Sequence, residues 1–317
     1  MNHIAGNPSG RLAARYVALL IALAGVPAVA TERPNAEQRG QAFWLALAKD
    51  CSVPTGDSAA GLVREAIDLL GSPDPTWRDD VGYGVVVSCM YRQKLLDVAQ
   101  RREIIATLSG NLRRDIGATG TDSVLLRSFS ALDLSLFAAL ELQEPALDDA
   151  GYRRLLDDAL AYLRDERDLR GIDSRVGWIH ATAHTADLLK FLARDPRFTP
   201  VDQTRLLDAA WLRMTTPGTP VFTHAEDERL AAALLSVVRR GDFDVGPLGA
   251  WLERFVGLEK SVWQQSPPDM AALDAAQNAR NLLRSLHLLL AMPQPGPTPG
   301  QAAARDKVLA TLQQIRR

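Results

Sequence analysis

One short stretch carries most of the side chains able to move a proton or hold a cation. It reads Gly177-Trp178-Ile179-His180-Ala181-Thr182-Ala183-His184-Thr185-Ala186-Asp187-Leu188-Leu189. On a helix this spacing gathers His180, His184 and Asp187 within about 60° of one another. They border an apolar face of Trp178, Ala181, Leu188, Leu189 and Leu192. Imidazoles one turn apart can share a divalent metal such as zinc, or act as general acid and base. Asp187, one turn beyond His184, is placed to accept a ring N–H and fix its tautomer. The stretch is not the zincin motif, because Ala181 stands where a zincin carries its glutamate.

A metal would need a third ligand, and Phe222-Thr223-His224-Ala225-Glu226-Asp227-Glu228-Arg229 is the obvious donor. The residues singled out for catalysis are therefore His180, His184, Asp187 and Glu226. Those for a metal are His180, His184 and His224, and those for ligand contact are Arg170, Trp178, Asp227 and Arg229. Four histidines follow residue 30, and three of them fall in these two stretches. The fourth, His287, sits among leucines and reads as a core-edge residue. A purely structural reading competes. Thr223 and Glu226 fit a capping box, Asp227 and Glu228 suit a positive helix end, and the histidines can bond backbone carbonyls. The charged run Asp165 to Arg170 then reads as a solvated turn with weak ion pairs.

The elements that must position these residues are helical throughout. Alanine, leucine and arginine dominate, aromatics are 6%, and apolar residues recur at helical spacing with no stretch of period two. The pattern predicts helices over 36–50, 58–71, 77–93, 97–114, 122–142, 148–167, 177–194, 202–214, 224–240, 246–257, 269–292 and 300–316. Ser72-Pro73-Asp74-Pro75, Gly171, Pro217-Gly218 and Pro267-Pro268 punctuate them, and a proline-rich stretch over 293–300 sets off the last. Taken in pairs they make hairpins of the length found in HEAT and armadillo arrays. The expected fold is all-α, either an α-α superhelix of such hairpins or a closed α/α ring, as one domain over 31–317.

The N-terminus has the three parts of a secretory signal: Arg11 and Arg15, the apolar run Tyr16 to Val26, then Pro27 and Ala28-Val29-Ala30. The run of about eleven apolar residues is short of the roughly 20 that span a bilayer. Cleavage after Ala30, export to the periplasm or beyond, and no membrane span thereafter are the expectation. Without that segment the net charge is about −4, with no basic block to meet nucleic acid or anionic lipid. Cys51 and Cys89 are the only cysteines; the sequence allows a bridge between them, suited to an oxidising compartment, and equally two buried thiols.

Asp168-Leu169-Arg170-Gly171, Gly177-Trp178, His180, Ala183-His184 and Ala186-Asp187-Leu188-Leu189 together resemble the core signature of an uncharacterised bacterial family, domain of unknown function 2785. Glu226-Asp227-Glu228-Arg229-Leu230-Ala231 is similar to a second acidic segment of that family. The resemblance implies an all-helical fold and no known activity. Two functional readings follow. One is an envelope scaffold that binds a protein, peptide or glycan along a groove lined by histidine and aspartate. The other is a metal-assisted or acid–base hydrolase built on the histidine helix and the 224–228 acids. Phosphate loops, dinucleotide fingerprints and nucleophile elbows are absent from the sequence.

Overall fold

The computed structural model describes residues 39–264, 266–292 and 298–315. The predicted signal segment 1–30 and residues 293–297 of the proline-rich stretch lie outside them. The architecture is all-α. Helices α1 (Gln41–Asp50) and α2 (Ala59–Ile67) lead into two π-helical segments, Thr76–Tyr83 and Val86–Arg92. There follow α3 (Val98–Asn111), α4 (Ser123–Glu141), α5 (Asp149–Asp165), α6 (Ala181–Leu192), α7 (Pro200–Thr215) and α8 (Glu226–Val238). The chain continues through α9 (Val245–Val262), α10 (Met270–Ala291) and α11 (Pro299–Gln314). A two-rung antiparallel hairpin, β1 (Ile172–Asp173) and β2 (Gly177–Trp178), interrupts them.

Packing proceeds in two rows. In one, α4 lies on α6, α6 on α8 and α8 on α10; in the other, α5 lies on α7 and α7 on α9. Each step buries the apolar stripe of one helix against the next, so the core is one continuous cluster running from Trp44 to Ile315. Helix α4 is the central rod. By length and composition it could cross a membrane, contrary to the expectation that no stretch after the signal would, yet 78% of that window is buried among its neighbours. An all-round apolar helix is what the middle of a helical array requires.

Local chemistry sets most helix starts. Ser58, Asp97, Asp148, Thr199, Asp244, Asp269 and Thr298 each accept a backbone N–H of their own first turn. Helices α6 and α8 do not follow this rule. They start from His180 (φ 50°) and Ala225 (φ 67°), both left-handed and neither capped by a side chain. The predicted Thr223–Glu226 capping box is therefore not formed. The predicted helix over 77–93 is helical throughout, as two π-helical runs joined at Gly84 and Val85, and Gly82 and Gly84 lie against Leu70 and Ala48. Cys51 and Cys89 are bonded to each other and tie the end of α1 to the second π-helical run.

Candidate functional site

A buried ion pair anchors the approach to the site. Arg127 of α4, fully buried, donates to Glu166 just past α5 at 2.6 Å, and also to the carbonyls of Arg114 and Asp115. The same carboxylate accepts the backbone N–H of Arg167 and Asp168. Asp168, also buried, accepts from Gly120 N–H at 2.9 Å and from the Arg170 guanidinium. The run that reads in sequence as a solvated turn is thus a braced strap. Removing one partner of such a pair leaves an uncompensated buried charge.

From Gly171 the chain turns through the hairpin and returns. The Gly171 carbonyl accepts from Ile179 N–H at 3.0 Å and His180 N–H at 3.2 Å. Arg78, fully buried and lying over the Phe129 ring, donates to the Val176 carbonyl at 2.8 Å. These bonds hold His180 outside the helix, where the periodicity had placed it on one face with His184. The left-handed backbone at His180 swings its ring toward α8 instead.

Each histidine is fixed by one ring nitrogen. His180 Nε2 donates to the His224 carbonyl at 2.8 Å, with Glu226 Oε1 4.0 Å away. His184 Nδ1 is 2.8 Å from Ser128 Oγ. Because the Ser128 hydroxyl donates to the Ile179 carbonyl, the ring must be the donor in that contact. His180 Nδ1 and His184 Nε2 are left with lone pairs. The two rings lie 5.8 Å apart, nearly perpendicular, and His224 lies 6.5 Å from His180. Trp178 covers one face of His180 at 4.4 Å and keeps 43% of its surface exposed.

These residues line a cleft of about 790 Å³. It is also lined by Asp79 and Tyr83 from the first π-helical run and by Phe129 and Leu132 from α4, with the exposed Glu228 and Arg229 of α8 at its rim. Burial holds both histidines in the neutral form. It pulls the pKa of His180 below its usual range and that of His184 down to about 3, helped there by the positive charge of Arg229. Burial pushes the Asp79 carboxyl up despite its pairing with Arg78, and pushes the Tyr83 phenol up as well.

Of the residues chosen from sequence, Trp178, His180, His184, His224 and Arg229 meet at this cleft. Asp187 does not orient His184: its carboxylate is engaged by Lys190 at 2.8 Å and by Arg229, and Ser128 takes the role expected of it. Glu226 accepts the His224 N–H at 2.8 Å, serving the turn before α8. Asp227 faces α10, where Ser285 donates to it at 2.8 Å, and Arg170 is held by Asp168 and Asp173. Ser128, Asp79, Tyr83 and Phe129 were not legible as site residues. Their one sequence trace is the polar pair Asp79 and Tyr83 at helical spacing.

Residues 112–288 match the family described as a protein of unknown function, DUF2785, and the chain belongs to it. That span holds α4 to α8 and so the histidine half of the cleft. No curated protein and no solved structure matches the chain.

Proposed function

We propose that this is an exported binding protein of the cell envelope whose cleft takes a glycan. The single observation that carries this reading is the pairing of an exposed Trp178 with two braced, neutral histidines in one wide cleft. An open indole face packs against the C–H face of a sugar ring, since aromatic surface is apolar with a polar edge. Neutral imidazole lone pairs accept hydroxyl hydrogens, while Glu228 and Arg229 can accept and donate at the rim. A few convergent polar groups on an apolar floor is the usual composition of a small-ligand site. The signal-like N-terminus and the Cys51–Cys89 bridge support an oxidising location.

The test is titration of the protein with soluble envelope oligosaccharides, read by tryptophan fluorescence and calorimetry. The expected result is saturable binding that Trp178→Ala abolishes with melting unchanged. Absence of saturable binding, or binding indifferent to Trp178, would sink the reading. The raised carboxyl of Asp79 beside neutral imidazoles supports a second reading, acid–base hydrolysis of the bound ligand. Cleavage products in the same titration, lost in Asp79→Asn, would establish it.

A further inference from the structure

We propose that His180 and His184 jointly hold one divalent transition-metal ion of the kind that prefers imidazole, zinc or a near neighbour, through Nδ1 of His180 and Nε2 of His184. The inference concerns the same cleft as the binding reading but does not depend on the nature of its organic ligand.

Metal-bound histidines almost always donate their other ring N–H to a carbonyl, a carboxylate or a water, which fixes the ring and makes the ligating nitrogen more basic. Both histidines here already have that support. The far nitrogen of His180 donates to the His224 carbonyl, and that of His184 donates to Ser128, which passes its own hydrogen to the Ile179 carbonyl. A structural histidine needs only one such contact; here two neighbouring rings that both line the cleft each keep one ring nitrogen outside any hydrogen bond.

The spacing fits one ion. Two imidazoles bound at about 2.0–2.1 Å to a tetrahedral centre have ring centres roughly 5–6 Å apart, and these stand at 5.8 Å with planes at 86°. The backbone adds an independent observation. His180 is a non-glycine residue held left-handed at φ 50°, a conformation that costs energy and concentrates at functional sites. That turn is what takes its ring off the helix surface and into the cleft.

Among the described residues, no three histidine, cysteine, aspartate or glutamate side chains stand close enough to enclose an ion. His224 stands further off, with Nδ1 3.1 Å from the Thr223 hydroxyl, and Asp187 is held by Lys190 and Arg229. The protein therefore supplies two ligands, and the remaining positions open onto the cleft for water or ligand oxygens. Catalytic zinc sites keep a position open on three protein ligands; with two, this ion would draw the rest of its coordination from water or ligand in the cleft.

The test uses the full chain without a histidine tag, stripped by chelator and kept oxidised. It is titrated with Co²⁺, followed by visible absorption, and then with Zn²⁺ as competitor. The expected result is one Co²⁺ per chain with tetrahedral-type absorption that Zn²⁺ displaces. His180→Ala and His184→Ala should each weaken binding by more than about 10-fold, and Ser128→Ala by about 10–100-fold through the lost brace. His287→Ala, outside the cleft, should leave it unchanged. Should His184→Ala fail to fold, His184→Gln serves in its place, with circular dichroism as the check. No saturable Co²⁺ or Zn²⁺ binding, or binding that survives both histidine substitutions, overturns the proposal. A protein that binds oligosaccharide but no metal leaves the cleft standing and removes the ion; the reverse result removes the glycan alone.

Discussion

A Cβ on Gly171 would stand 2.6 Å from Nδ1 of His224, and as close to Oε1 of Glu226. The strap before the hairpin and the turn before α8 thus touch at a position that only glycine can fill. Its carbonyl also receives the N–H groups of Ile179 and His180. Gly171→Ala should force the two segments apart, with an overpacking cost of about 1–3 kcal/mol. Urea unfolding measures that cost, and the ring resonances of His180 and His224 should shift in the same variant. Unchanged stability and unchanged rings would mean that the contact is not made in solution.

Ser128 reports on the tautomer of His184. The serine relays the Ile179 carbonyl to the ring, so Nδ1 carries the hydrogen and Nε2 the lone pair. Long-range nitrogen–proton correlation should show the Nδ1–H form for His184 and the Nε2–H form for His180. Ser128→Ala removes the hydroxyl that accepts from this buried ring, at about 1–3 kcal/mol, leaves only the Ser128 backbone to bond it, and should mix the His184 tautomers. Finding the Nε2–H form of His184 in the unaltered protein would refute the assignment.

The same ring makes the fold acid-sensitive. Its native pKa lies near 3 against an ordinary value of 6.5, because a charged imidazole is poorly solvated there. Below pH 6.5 the unfolded chain takes up a proton that the native chain refuses, so stability falls as pH drops from 6.5 toward 3 and is insensitive to this group above 6.5. His184→Gln should flatten that part of the stability–pH curve, as measured by chemical unfolding from pH 4 to pH 8. An equally steep curve in the variant would assign the acid response to other groups.

How far the sequence disclosed this arrangement depended on whether the relevant interaction was local. Helical periodicity located most of α3 to α11 to within a few residues, because each stripe repeats inside its own segment, but it ended α9 five residues early, at 257 where the helix runs to Val262. It failed at His180, where Gly177 at φ 75° and a two-rung hairpin delay the helix to Ala181. Periodicity sees which residues share a face, not a left-handed residue that leaves it. The partner of His184 was missed for a related reason. Asp187 is the neighbour in sequence, whereas Ser128 lies 56 residues away and meets the ring only once α4 packs on α6. The histidines themselves were legible because four in the chain after residue 30 is few, and three of them fall in two short segments.

The Cys51–Cys89 bond closes a loop with a sequence separation of 38. On the chain-entropy argument a loop of that size restricts the unfolded state by about 4 kcal/mol. A Cys51→Ser, Cys89→Ser double variant should therefore melt lower than the oxidised protein, and reductant should lower the latter in the same way. Both comparisons need only circular dichroism. The cleft lies mainly on α4 to α8, so ligand binding at low temperature should survive reduction; loss of binding without unfolding would tie the bridge to the site.

Asp133 presents the opposite problem from His184. It lies one turn beyond Phe129 on α4, is fully buried, and neither carboxylate oxygen has a hydrogen-bond partner. Burial raises its pKa well above the ordinary 3.8 of an aspartate, and its charge would also disfavour ionising Tyr83 on the cleft wall. The native state keeps the proton that the unfolded chain gives up above pH 3.8. The acid therefore costs stability increasingly as pH rises from 3.8 toward its native pKa, and nothing of this kind below 3.8. Asp133→Leu keeps the volume and removes the unpaired group, so it should raise the unfolding free energy at pH 7 by about 1–3 kcal/mol, with the gain shrinking toward pH 4. Natural proteins retain such groups where function requires them. The same variant should therefore bind the cleft ligand less well while melting higher, read by calorimetry in parallel with thermal unfolding. A variant less stable at both pH values would show that Asp133 has a partner in solution. One that is more stable and binds normally would make the acid a cost with no return at this site.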